Sequence, residues 1–232
     1  MIDFIPLASS SRGNLYKLTD GESSLLIEAG LPIKEVKKKL EFRLSATLAC
    51  LLSHSHADHS RGAKDIMKAG IDLYCTRGTA DALSLNGHRL NIIKAMQKFQ
   101  IGPWTIFPFD TVHDAEEPVG FVVASKEQKL LFATDTAYIK YRFKGLTHIA
   151  IEANYSSEIL KRQVANRLMS HEVGLRLWKR HMSIERAEKM LSMNDLSKLE
   201  AVYLLHLSDG NSDAEDFKSR IQKITGRPVY VC

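Results

Sequence analysis

Short apolar blocks, each bounded by small or polar residues, recur along the chain and predict a succession of strands. Residues 2–8 make the first, and 15–18 with 24–29 form a hairpin around Asp20-Gly21. Ala49-Cys50-Leu51-Leu52 and Asp72-Leu73-Tyr74-Cys75 are the next two. Later come the strand–turn units 111–114, 120–124 and 129–136, then 148–154, 201–207 and the terminal 228–232. Residues 101–109 are strand-like too. Pro103 and Pro108 each lack an N–H for a ladder, which places that stretch at an edge or a bulge.

Elsewhere the alternation gives way to a helical period. From Pro32, Ile33, Val36 and Leu40 share one helical face, with lysines between them. Segments 62–69, 78–85, 156–168, 173–179, 183–191 and 213–225 read as further helices, Ser183 serving as a partial N-cap for its own. Residues 88–99 are short of Gly and Pro and rich in Lys, Ile and Met; they form either a helix or an ordered loop. No linker, repeat or low-complexity run interrupts the series. A single α/β domain over residues 1–232, with sheets at its centre, is expected.

Composition narrows this picture without redirecting it. A chain of 232 residues can bury a sizeable core. The net charge of +5 and pI near 9.0 fit a polyanionic substrate but do not require one. Cys50, Cys75 and Cys232 are odd in number, widely spaced and free of any Cys-x-x-Cys pattern. That argues against a disulfide framework and a thiolate zinc knuckle, and leaves Cys50 and Cys75 as small core residues. Residues 1–6 lack the basic start of a signal peptide, and no segment approaches the ~20 apolar residues that span a bilayer. A soluble protein of the reducing cytoplasm is expected, with no membrane contact.

Chemistry concentrates directly after the block 49–52. His54, His56, Asp58 and His59 fall within six residues. Strand alternation puts His54 and His56 on one face, and Asp58 and His59 follow at a turn into a helix. Imidazoles and a carboxylate without thiolate suit a divalent ion such as zinc or manganese. His113, Asp135 and His206 stand at or near the ends of other apolar strands. Each alone reads equally as a packed histidine or a helix cap. Beside a partial metal site they become candidates to complete it. The polar loop 9–14 is either a flexible turn or the lining of an anion pocket, and Lys37-Lys38-Lys39 either a solvated face or a phosphate contact.

The run His54-x-His56-x-Asp58-His59, followed in order by His113, Asp135 and His206, resembles the metal-binding motifs of the metallo-β-lactamase superfamily. Ser9-Ser10-Ser11-Arg12-Gly13-Asn14 and the stretches around His113, Asp135, Glu152 and His206 are similar to its YycJ/WalJ-type exonuclease group. The resemblance implies an αββα sandwich holding two divalent ions. His54, His56 and His113 would hold one, Asp58, His59 and His206 the other, with Asp135 bridging. It implies a phosphodiesterase acting on nucleic acid, DNA first, in which a hydroxide between ions ~3.5–4 Å apart attacks phosphorus. A small cyclic phosphodiester, or an RNA as in tRNase Z, is the alternative substrate. His181-Met182-Ser183 resembles the group's helper-histidine motif, and Glu152 matches the place of its acidic partner; with Asp58 these are the expected catalytic residues. His171, in a stretch that departs from the group's pattern, rivals His181. Ser10 and Asn14 are expected to orient phosphate, and Arg12, Arg61 and Lys64 to guide a strand with salt-sensitive binding. His88 and His148 match no motif and are read as structural.

Overall fold

Ser24–Ile27 is a run of four residues buried on every side, and it pairs in parallel with the almost equally apolar Thr47–Leu51. Strands buried on both faces carry no alternation, and these two form the middle of a sheet. The computed structural model describes residues 1–232 and resolves into two compact units. Met1–Asp110 with Ala115–Gln128 form the first, and Thr111–Asp114 with Lys129–Cys232 the second.

In the first unit six strands lie in chain order: β1 (Asp3–Ala8), β2 (Leu15–Thr19), β3 (Ser24–Ile27), β4 (Thr47–Leu51), β5 (Asp72–Thr76) and β6 (Leu90–Ile93). The pairs from β1 to β3 are antiparallel and those from β3 to β6 parallel. Helices α1 (Ile33–Lys39), α2 (Ala57–Ser60), α3 (Ala63–Lys68) and α4 (Arg77–Ala82) fill the parallel connections. Leu26, Val36, Cys50, Leu52, Ile66 and Leu73 pack in one buried cluster with Cys75. Burial pushes the Cys75 thiol up to about 12 and that of Cys50 well above its usual range, as inert core thiols require. The unit also holds the antiparallel strands β7 (Phe99–Ile101), β8 (Trp104–Asp110) and β9 (Val119–Ser125).

In the second unit β10 (Gln128–Ala133, which enters the unit at Lys129), β11 (His148–Glu152), β12 (Ala201–Leu205) and β13 (Val229–Val231) run parallel, side by side. Their connections carry α5 (Ser157–Ala165), α6 (His171–Arg180), α7 (Ile184–Ser192) and α8 (Ala214–Thr225). Ser156, Ser170, Ser183 and Asp213 accept backbone N–H groups at the four helix starts. No helix is long and apolar enough to cross a membrane.

Two sequence expectations change. Residues 88–99 are neither helix nor ordered loop: they contribute β6 and the start of β7, with Met96 in the left-handed region between them. The Ile92-Ile93 pair favours a pleated, half-buried surface, and β5 supplies it. Residues 111–114 form no strand. Pro108 sits within β8 but beyond the reach of β7, which pairs only with 104–106, so its missing N–H costs no ladder bond there.

Candidate metal centre

Within each unit, polar residues stand just past the carboxyl ends of parallel strands. In the first unit Glu28 follows β3 and His54 lies just beyond β4. The β3–β4 register pairs Ile27 with Leu51, so the chain leaves both strands at one level. The His54 ring lies 4.8 Å from that of His56 and 4.3 Å from that of His59. Ser53 Oγ is 2.8 Å from His54 Nδ1, which turns Nε2 to the other side of the ring. His59 is fully buried, with Asp58 Oδ2 3.3 Å from its Nε2 and Glu28 Oε1 3.6 Å from its Nδ1.

Glu28 was not singled out from the sequence. It is fully buried, takes a left-handed φ of 69°, and accepts a bond from Ser53 N. Its Oε1 stands 3.6 Å from Nδ1 of His59, the ring nitrogen opposite the one that faces Asp58. The available signal was an acid closing a wholly apolar strand next to the strand that carries the histidines.

Asn14 ties this corner together. Its N–H donates to Asp58 O at 2.7 Å, its carbonyl accepts from Gly30 N, and its side-chain amide lies 3.1 Å from His59 Nε2. Its Oδ1 accepts from Ser10 N, and its Nδ2 donates to Ser10 O. Asn14, expected to orient phosphate, is fully buried, and its amide faces the turn of Asp58 and His59. Ser10 is half-buried, its hydroxyl accepting from Arg12 N. Only glycine fits at position 30, where a Cβ would lie 1.8 Å from Asp58 O.

In the second unit Asp135 lies two residues past β10, Glu152 ends β11, and His206 follows β12. The parallel register aligns Ala133 with Ile151 and Glu152 with Leu205, so the three strands deliver their acids and imidazole to one place. His206 Nδ1 is 3.0 Å from both Asp135 Oδ1 and Glu152 Oε1. His181, directly after α6, puts Nδ1 2.6 Å from Glu152 Oε1. Metal-competent atoms of Asp135, Glu152, His181 and His206 all lie within 4.8 Å of one another. His171, the rival of His181, is exposed at the start of α6. His113 Nδ1 faces Arg180 O at 3.1 Å while its Nε2 points to Asp135 Oδ2 at 3.6 Å, the tautomer of a ligand-ready imidazole. Asp135 and His206 both hold left-handed backbone, with φ of 46° and 55°. Such strain, of order 1–3 kcal/mol each, persists only where the surroundings enforce it.

The electrostatics of this set ask for a cation. Burial disfavours the charged form of His206, yet the Asp135 and Glu152 carboxylates outweigh it and push the imidazole up to about 10. Burial likewise opposes the charged form of His181, and Glu152 again prevails and raises it. For His113 burial wins over Asp135, and the ring stays neutral more readily than a free one. Burial works to raise Glu152, but His181 and His206 hold it below the ordinary carboxylate range. Two buried carboxylates that draw in protons this strongly, among thiolate-free imidazoles, fit divalent metal ions.

A pH prediction follows from His206. Its folded value lies above the ordinary imidazole 6.5, so in metal-free protein its proton stabilises the fold fully below about pH 6.5. That contribution is lost as pH rises through about 10. Metal ions satisfy the same carboxylates and displace the proton, so loaded protein keeps a flatter profile across that window. Denaturant midpoints of chelator-treated and loaded protein over this range check it; parallel profiles would contradict it.

Comparison with known proteins places this geometry. Residues 25–207 match the beta-lactamase superfamily domain. The exodeoxyribonuclease YycJ of Bacillus anthracis is 27% identical over 244 residues, covering 96% of this chain and 89% of that protein. The exodeoxyribonuclease WalJ of Streptococcus pneumoniae serotype 2 is 29% identical over 230 residues, covering 90% and 82%. Among solved structures, the metallo-beta-lactamase fold protein YhfI of Bacillus subtilis superposes with a TM-score of 0.75 at 14% identity. It covers 100% of this chain and 97% of its own.

Proposed function

The chain belongs to the beta-lactamase superfamily, and from that premise we propose that it is a two-metal phosphodiesterase that cuts nucleic acid, DNA in particular, from an end. In this reading His54, His56 and His113 hold one divalent ion, Asp58, His59 and His206 a second, and Asp135 is shared. Residues 1–232 act as one hydrolase domain in the cytoplasm. Zinc or manganese suits donors of this kind. The ions supply Lewis acidity against the charge that gathers on a phosphoryl group, and a nucleophile usable at neutral pH.

The observation that carries the reading is the buried Glu152 carboxylate, which holds His181 at 2.6 Å and His206 at 3.0 Å. Glu152 engages Nδ1 of His181 and raises its pKa above the ordinary imidazole value, which suits the ring to deliver a proton from its other nitrogen. A sugar hydroxyl is a poor leaving group, and a positioned acid that protonates it removes the largest obstacle to breaking its bond to phosphorus. The likeness to two proteins named exodeoxyribonuclease, over at least 90% of the chain, supports the nucleic-acid part of the reading. Asn14 and Ser10 act through the turn that carries Asp58 and His59.

Metal-loaded protein is expected to release mononucleotides from end-labelled DNA, and chelation to abolish that release. Single- and double-stranded DNA, RNA and bis-p-nitrophenyl phosphate, assayed side by side, test it. Turnover of the small ester alone would sink the nuclease reading and leave a small-molecule phosphodiesterase; RNA as the sole polymer cut would move it to the tRNase Z-like alternative.

A further inference from the structure

Two aromatic side chains, each about half exposed, stand three residues away from site residues in the second unit. Tyr138, 49% exposed, follows Asp135; Trp178, 50% exposed, precedes His181. One residue holds both segments. Arg186 Nη1 donates to Trp178 O at 2.8 Å and to Ala137 O at 3.1 Å. The same guanidinium lies 4.7 Å from the centre of the Trp178 ring and covers one of its faces. Tyr138 is held separately, its carbonyl accepting from Thr136 Oγ1 at 2.9 Å.

Resting on the reading above, we infer that Trp178 and Tyr138 form a stacking platform for unpaired nucleobases at the end of the strand being cut. Charge selects this occupant. Residues 137–144 and 171–181 together carry six Lys or Arg against one Glu. A second copy of the same basic face would be repelled, whereas a phosphodiester backbone is attracted. Continuity with the site selects it as well. His181 ends α6 beside Glu152, so a base stacked on the ring one turn earlier sets its own sugar and phosphate near the group that donates the proton. Stacking is tolerant of base identity because every base has a π face. An exonuclease without sequence preference needs that tolerance.

The chain offers its own probe, because Trp104 is fully buried and bonded to Ser23 Oγ, so Trp178 is the tryptophan open to a ligand. Metal-loaded protein titrated with a cleavage-resistant phosphorothioate single strand is expected to lose tryptophan emission. Trp178→Phe should bind comparably without the loss of emission. Trp178→Ala should raise KM for single-stranded DNA roughly tenfold and leave bis-p-nitrophenyl phosphate turnover unchanged, since that ester has no base to stack. If the wild type cuts DNA but Trp178→Ala does so with an unchanged KM and no quenching occurs, the platform is wrong and the nuclease reading stands. If anionic phosphatidylserine vesicles alone shift the emission, the surface is a lipid contact and the platform is equally wrong. If no nucleic acid is cut at all, the underlying reading fails first.

Discussion

An Asp135→Asn protein is expected to retain fewer than two equivalents of metal and to hydrolyse phosphodiesters roughly 10³-fold more slowly. The magnitude follows from losing several kcal/mol of charge stabilisation, with about 1.4 kcal/mol per tenfold in rate. Asparagine is the informative replacement because residue 135 has a φ of 46°, which Asn tolerates and Ala does not. The side chain keeps its shape while its negative charge disappears. Within its unit Asp135 faces His206 at 3.0 Å and His113 at 3.6 Å, so the loss is felt by both imidazoles. Metal content after dialysis and turnover of DNA and bis-p-nitrophenyl phosphate should fall together. Full metal content with a normal rate would show that Asp135 is not shared between ions.

A His181→Ala protein separates proton delivery from metal binding. Turnover of DNA is expected to drop about 10²–10⁴-fold, the usual worth of a positioned general acid. Metal content should stay at the wild-type level, since His181 is assigned to neither ion. Bis-p-nitrophenyl phosphate releases a phenolate that needs no proton, so its turnover should change by no more than a few-fold. Equal losses on both substrates would mean that His181 acts on the phosphoryl group or on the metals instead. Glu152→Gln should give the DNA defect and weaken metal retention too, because the same carboxylate touches His206.

The sequence and the structure disagree in instructive places. His54, His56, Asp58 and His59 are legible because they fall within six residues, at a strand end and the turn after it. The strands 49–52, 148–154 and 201–207 are legible because burial on both faces leaves continuous apolar runs. Residues 88–99 mislead: the absence of Gly and Pro leaves a helix open, and only the neighbouring β5 decides for a strand. Asn14 shows from the sequence only as part of a small, polar loop. Its burial comes from the turn at Asp58, 44 residues away.

His171 and His181 make the sharpest case. Both lie at the ends of one helical stretch, and neither local pattern nor charge ranks them. The fold ranks them by leaving His171 in solvent and setting His181 against a buried carboxylate. Glu28 belongs with them, an unremarked strand-end acid until β3 and β4 pair. By itself, then, the chain determined its donor types and the strands that present them, because strand period and ligand chemistry are local. Which donors sit against a buried carboxylate and which face water were decided by the tertiary structure alone. Parallel pairing brings residues far apart in sequence to one level, and desolvation there turns ordinary side chains into a cation-seeking site.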